Sequence, residues 1–323
     1  VKIVVVQPTA GQKLVIDPHT HTTEPTMPTV TLEAKVFVQG VSVVTGTVRW
    51  ELSISGQYRV RSSGGYREQA YVLPAGSTTS APEEKKVFQL APALITGGKL
   101  SVTATYTAGP EVGNAHLKQT IQALVVGGPP SDEEIALYII DVGGDLIWLF
   151  LRLFMHESSF RQFQGSDVLY GPPSGVGIGQ RDPEAPEWKW PKKLADRVTQ
   201  PNNFFPMIFW NWKRNIDAGM AFFRNVKLPA GKADLDSLQG DYPSLPAPLP
   251  GMVTRAGIRR YNGGTEYVAS ADGKHYVLDT SRSDYVNVVL GMEPPHAAEY
   301  PVPADVQTTV YPSPPAPKKP IKG

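Results

Sequence analysis

Residues 127–134 read Gly127-Gly128-Pro129-Pro130-Ser131-Asp132-Glu133-Glu134, and the chain changes character on either side of them. Two glycines and two prolines in a row interrupt any regular element. Ser131 followed by Glu134 forms a capping box, whose hydroxyl and carboxylate are placed to satisfy the first free N–H groups of a helix. A helix is predicted to begin there. Upstream, apolar and polar residues alternate with period two, as in Val30-Thr31-Leu32-Glu33-Ala34-Lys35-Val36-Phe37-Val38 and Val48-Arg49-Trp50-Glu51-Leu52-Ser53-Ile54. That is the pattern of strands with one buried face. Further strands are predicted over 69–73, 86–90, 99–107 and 119–126, and Lys2 to Gln7 is another candidate. Six or seven short strands at this spacing predict an all-β sandwich of immunoglobulin-like topology over residues 1–128. The threonine- and proline-rich piece from Pro18 to Pro28 reads as a linker.

Downstream of Pro130 the apolar residues follow a helical period. Ile135, Leu137, Tyr138, Ile139, Leu146, Ile147, Leu149, Phe150, Leu153 and Phe154 form a mostly buried helical region, which Gly143-Gly144 breaks or kinks. Further helices are predicted over 192–199, 207–224, 253–261 and 283–292, giving a second, mainly α domain over 129–293. From Pro294 to Gly323 nine residues are proline, a composition for an extended tail or a surface strap.

The whole chain has 323 residues, 31 basic against 30 acidic, with 41% hydrophobic residues and no cysteine. Charge balance argues against a nucleic-acid binder, which carries a basic excess or stripe. Disulfides, thiol catalysis and cysteine metal sites are excluded outright. The strongest apolar run, Leu146 to Leu151, is six residues long, too short to span a bilayer. His19 and His21 are the one close histidine pair and lack companion ligands, so neither a metal nor another cofactor is expected. No signal peptide opens the sequence, and it begins at Val1.

Three short patterns hold the candidate chemistry. His156-Glu157-Ser158-Ser159-Phe160 ends an apolar helix, where a half-buried carboxyl is suited to general-acid work. Gly175-Val176-Gly177-Ile178-Gly179-Gln180-Arg181-Asp182 lets backbone approach a ligand closely, with Gln180 able to donate and accept. Arg260-Tyr261-Asn262-Gly263-Gly264 stands at a predicted helix end. Each has a plain alternative: a solvated helix end, a flexible loop, a glycine cap. Trp188 and Trp190, in a charged segment, fit either a sugar-stacking or a packing role, whereas Trp210 and Trp212 fit a helical core. Asn211 and Asn215 share a helix face that reads as solvated.

In order and content these patterns resemble the lysozyme-like superfamily, in particular lytic transglycosylase domains and goose-type lysozymes. Glu157-Ser158 is similar to the catalytic Glu-Ser motif, Gly177-Ile178-Gly179-Gln180 to the Gly-Leu-Met-Gln motif of the cleft, and Tyr261-Asn262-Gly263-Gly264 to Tyr-Asn-Ala-Gly. Asp284-Tyr285-Val286-Asn287-Val288-Val289 resembles a goose-type segment, and Asp182 an acidic residue two positions past its glycine-rich loop. The resemblance covers roughly residues 131–293, with a longer tract than the family's between Gln180 and Tyr261. It implies a lysozyme-like fold for the second domain and cleavage of the β-1,4 bond between N-acetylmuramic acid and N-acetylglucosamine in peptidoglycan. Glu157 would be the general acid. Asp182, with Asp167 as the alternative, would position water. Ser158, Gln180, Tyr261, Asn262 and Trp188 would bind the glycan. The product would be either a hydrolysed or a 1,6-anhydro end. A non-catalytic cell-wall-binding protein is the competing class. The expected workplace is the bacterial periplasm or cell wall, and the expected partner is the glycan strand. The β domain would serve as a binding module or as an attachment to a phage-tail-like or secretion apparatus.

Overall fold

The computed structural model describes residues 2–62, 65–92, 94–108, 116–172, 174–182, 208–279 and 284–307. The chain forms two compact units, Val1–Tyr138 with Glu157–Ala218, and Ile139–His156 with Gly219–Gly323.

In the first unit the alternating stretches become strands. They are β1 (Lys2–Gln7), β2 (Lys13–Ile16), β3 (Thr29–Val38), β4 (Val41–Val43), β5 (Thr47–Ser62), β6 (Gly65–Ser80), β7 (Lys86–Gln89), β8 (Gly98–Thr107) and β9 (His116–Gly127). One sheet runs β1-β3-β4, with β7 also paired to β3; the other runs β2-β9-β8-β5-β6. All pairs are antiparallel except β2, which lies parallel to β9. Every second residue of β5 is buried (Val48, Trp50, Leu52, Ile54), and these meet Val30, Leu32, Ala34 and Val36 of β3 in one core. This is the period-two rule at work: one face of each sheet is withdrawn from water, at about 25 cal/mol per Å² of apolar surface.

Residues after 157 complete that core. Two hairpins follow, β10 (Phe163–Gln164) with β11 (Asp167–Val168), and β12 (Tyr170–Gly171) with β13 (Gly175–Val176). Phe163, Val168, Val176, Ile208, Phe209 and Trp210 all belong to the sandwich core. Gly97 and Gly127 make room for them: a Cβ at Gly97 would collide with the Trp210 ring, and one at Gly127 with the Phe163 ring.

The expected architecture, an immunoglobulin-like all-β sandwich followed by a separate, mainly α lysozyme-like domain, is therefore corrected. Six of the fifteen strands among the described residues lie beyond residue 128, and 157–218 fold with the strands of the first 138 residues. Two-residue strands in a glycine-rich loop have no periodicity to read. Of the two tryptophans read as a helical core, Trp210 fills the sandwich instead, whereas Trp212 does lie in a helix and meets the Tyr138 ring edge-on at 5.3 Å.

The linker from Pro18 to Pro28 is likewise an ordered strap in the first unit. Asp17 bridges Thr26, and Met27 is buried. Helix α1 (Asp132–Val142) starts where the capping box predicts, and the Glu134 N–H donates to Ser131 Oγ at 3.2 Å. The Glu134 carboxylate does not turn back, however; it accepts from the His21 backbone N–H and pairs with His21 Nδ1 at 2.9 Å.

In the second unit, Gly144, at φ +57°, interrupts the apolar run and separates α1 from α2 (Ile147–Ser158). Phe150 stacks on Phe154, with centroids 5.7 Å apart, and takes Phe223 edge-on at 5.9 Å. Helix α3 (Trp212–Phe222), whose residues up to Ala218 belong to the first unit, widens into a π turn over Phe223–Lys227 before α4 (Leu228–Asp241). Pro229 cannot donate to the carbonyl four residues back, which accounts for the relaxed turn. Helix α5 (Pro250–Tyr261) crosses α4 closely enough that a Cβ on Gly231 would strike the Gly257 backbone. A hairpin, β14 (Tyr267–Ala269) with β15 (Tyr276–Leu278), and two short helices, α6 (Tyr285–Leu290) and α7 (Ala304–Gln307), complete the unit. The start of the proline-rich tail is docked: Arg152 donates to Ala297 O and Tyr300 O, and Arg255 to Val306 O. Residues 308–323 lie outside the described residues. No helix among the described residues is long and apolar enough to cross a membrane.

Candidate active site

Glu157 stands in the last turn of α2, half-buried, one residue before the buried Ser158. The helix ends abruptly because Ser159 (φ +52°) and Phe160 (φ +56°) are both left-handed. Non-glycine residues pay steric energy in that region and hold it only when neighbours enforce it. Phe160 is 2% exposed and so supplies the enforcement. Arg161 covers the helix end, its backbone N–H and Nε both donating to Ser158 O at 3.2 Å.

The glycine loop 177–180 is held by two buried amides. Gln162 is 1% exposed; it accepts from the Ile178 N–H at 3.3 Å and donates to Ile208 O and Phe209 O at 2.9 and 2.8 Å. Asn215, on α3, is fully buried. It accepts from the Gly179 N–H at 2.7 Å and donates to Val176 O and Ile208 O at 2.9 and 3.0 Å. Buried backbone groups must find partners, and here two side-chain amides supply them. Gln180 is also left-handed, at φ +45°, and its Nε2 donates to Gly177 O at 2.8 Å, folding the side chain over its own loop against Gly171 and Gly175. Asp182, half-buried, accepts from Ser174 Oγ at 3.2 Å, next to the bridge between Val176 and Arg181. Asp167, the alternative, is exposed in the β10–β11 hairpin and caps its neighbour's N–H, Val168 N to Oδ1, at 2.7 Å.

Glu157, Ser158, Gln180 and Asp182 thus belong to the first unit. Tyr261 and Asn262 belong to the second, where the Tyr261 ring meets Phe222 and Phe223 at 5.7 and 6.5 Å and Asn262 caps α5 through its backbone N–H. His156, also in the second unit, packs edge-on against Tyr285 at 5.0 Å, and burial holds its pKa below the ordinary value. Trp188 and Trp190 lie outside the described residues. Among the described residues no group of three or more acidic or histidine side chains is arranged to hold a metal ion.

Three buried residues escaped the reading of the sequence. Gln162 carried no motif. Asn215 shares a face with Asn211, yet neither is solvated: Asn211 caps α3, its Oδ1 accepting from the Lys213 and Arg214 N–H groups at 3.1 and 3.2 Å. Lys213, 2% exposed, reaches the His21 carbonyl at 2.5 Å and lies over the rings of Tyr138 and Trp212. The strap is tied further by Trp212 Nε1 to Pro18 O, at 2.9 Å, and Asn211 Nδ2 to Glu24, at 3.0 Å. The helix that supports the glycine loop is therefore anchored through the strap. The signal for Asn215 lay in its neighbours: an amide among Trp212, Ile216 and Ala218 is on an apolar face.

No family model matches the sequence, and no curated protein matches it. Among solved structures the chain is similar to Spo0M, a sporulation control protein from Bacillus subtilis, with 15% identity and a TM-score of 0.19. The match covers 43% of this chain and 54% of that one. At that score the likeness carries no argument about fold or function.

Proposed function

We propose that the protein cleaves peptidoglycan glycan strands at the β-1,4 bond between N-acetylmuramic acid and N-acetylglucosamine, with Glu157 as general acid. The observation that carries this reading is the placement of Glu157. It is a half-buried carboxyl in the last turn of an apolar helix, separated by Ser158 alone from two strained left-handed residues, Ser159 and Phe160. A third strained residue, Gln180, ends a glycine loop that Gln162 and Asn215 hold rigid. Stored strain and rigid support are what a site needs when it must hold a reacting group in one geometry.

In this reading Glu157 protonates the glycosidic oxygen as the bond breaks. The resulting carboxylate then takes a proton from the incoming nucleophile. Water as nucleophile gives a reducing N-acetylmuramic end, with Asp182 positioning it from beside Ser174. The muramic 6-hydroxyl as nucleophile gives a 1,6-anhydro end and leaves Asp182 without a chemical role. We favour hydrolysis, since Asp182 is the half-buried carboxylate adjoining the glycine loop. Such an enzyme works in the periplasm or cell wall, with the β-strand unit serving to bind the wall or a delivery particle.

Mass spectrometry of the muropeptides released from purified sacculi tests the reaction. The expected products carry reducing ends, heavier by one water than anhydro ends. Anhydro products would overturn hydrolysis while leaving Glu157 in place, and no release of muropeptides would overturn the enzyme.

A further inference from the structure

One cavity in the first unit has no part in the chemistry above. It measures about 890 Å³ and lies over one end of the five-stranded sheet, with Gln164, Ser166 and Asp167 of the β10–β11 hairpin and Tyr170 on its other side. That volume lies within the range of small-ligand pockets. On the sheet side, Gln57 faces Ala70 and Arg59 faces Glu68 in register across β5 and β6. These alternate with Tyr58 and Tyr71, which point into the core.

Arg59 is the unusual member. Its guanidinium carbon lies 4.5 Å from the Tyr66 ring centroid and 4.9 Å from that of Tyr170. The backbone N–H of Arg59 donates to Tyr170 Oη at 3.4 Å. Burial holds the Tyr170 phenol well above its ordinary pKa, so it remains a neutral partner. Yet among the described residues the guanidinium itself has neither a hydrogen-bond acceptor nor a carboxylate within ion-pair distance. Glu68, directly opposite on β6, is not paired with it. Two rings hold the guanidinium within cation–π distance, and among the described residues no acceptor takes its N–H groups. That is a preorganised fork for an oxyanion, of the kind that binds a carboxylate through two parallel bonds.

The remaining charges narrow the ligand. Lys99 adds a second cation to the cavity, and Glu68 and Asp167 add two anions. A polyanion would meet two carboxylates and be repelled. A neutral glycan offers hydroxyl and amide oxygens as acceptors but no charge to match either the cations or the anions. A short chain with a free carboxylate and a free amine satisfies both signs.

We propose that this cavity binds the peptide stem of peptidoglycan, its carboxylate on Arg59 and Lys99 and its ammonium on Glu68 and Asp167. The proposal rests on the reading of peptidoglycan as substrate, and gives the first unit a peptide-reading site in addition to Glu157.

The test is calorimetric titration of the full chain with the sugar-free pentapeptide L-Ala-γ-D-Glu-L-Lys-D-Ala-D-Ala, with N-acetylglucosamine tetramer and inorganic phosphate as separate ligands. The pentapeptide should bind, and the other two should not bind in an Arg59-dependent way. Arg59→Ala should weaken the pentapeptide roughly tenfold or more, the usual loss when a charge-assisted bond is removed. Arg59→Lys should restore only part of it, since the fork is lost. Should Arg59→Ala lower the melt, Asp167→Asn, an exposed change, should still weaken binding. Absence of pentapeptide binding, equal affinity in Arg59→Ala and Asp167→Asn, or Arg59-dependent binding of the tetramer or of phosphate would overturn the proposal. Glu157→Gln should leave pentapeptide affinity unchanged. Binding without cleavage of sacculi by the parent would sink the enzyme reading and keep the cavity, and cleavage without binding would do the reverse.

Discussion

Ser131 and Glu134 show how far a single residue can be read. The sequence places a capping box at 131–134, and the hydroxyl half forms as expected. The carboxylate half is diverted to His21, 113 residues away. Burial raises the Glu134 pKa, but the His21 hydrogen bonds outweigh it and the net shift is downward. No local rule announces that diversion, because it depends on where the strap lies. His156 offers a sharper test at this scale. Burial beside Tyr285 lowers its pKa from 6.5 in the folded state. The unfolded chain then takes up the proton first as the pH falls. The stability that the neutral ring contributes is complete above about pH 6.5 and is lost below it. Unfolding midpoints in denaturant, measured from about pH 7.5 down to 5, should fall more steeply for the parent than for His156→Phe, which keeps the ring contact and cannot titrate. Parallel slopes would contradict this.

At the scale of elements, β1, β3, β5, β8 and β9 were legible because one face of each alternates against water, and alternation survives any topology. Helices α2 and α5 were legible from period and end signals. The β10–β13 hairpins and the strap were not. Their strands are two residues long, and their order comes from partners far along the chain: Gly97 receiving Trp210, Gly127 receiving Phe163, His21 receiving Lys213. Glycines that read as turn punctuation serve instead as sites of close approach. The glycine loop beside Gln180 shows the same dependence, since it keeps its shape through Asn215 on α3. Asn215→Leu would remove the amide oxygen that accepts from the Gly179 N–H, and one of two donors from each of Val176 O and Ile208 O, which keep Arg181 N–H and Gln162 Nε2. Taking the acceptor from a buried N–H costs about 1–3 kcal/mol, part of which the local structure recovers by shifting. A net loss of about 2 kcal/mol is expected in denaturant unfolding. A loss below about 1 kcal/mol would show that the loop is held by something else.

For the whole molecule, the expected division into a strand half and a separate helical half fails, since six of the fifteen strands among the described residues lie beyond residue 128. The compact units do not divide at Gly127–Pro130. The segment that carries Glu157, Gln180 and Asp182 folds with the strands, while Tyr261 and Asn262 fold with the helices. Candidate residues with a local signature, such as Glu157 at a helix end, were visible from the sequence. Their supports, Gln162 and Asn215, were not, because amides buried by tertiary packing have no pattern of their own. The proposed activity turns on one side chain, Glu157, doing acid chemistry. The most direct measurement is the rate at which the intact protein and its Glu157→Gln variant release muropeptides from purified sacculi, with thermal melts recorded alongside. The substitution keeps the shape of the side chain and removes its proton, and loss of a general acid costs roughly a hundredfold or more. If Glu157 is the general acid, the variant shows such a loss with its melt unchanged; activity within about tenfold of the parent would rule Glu157 out.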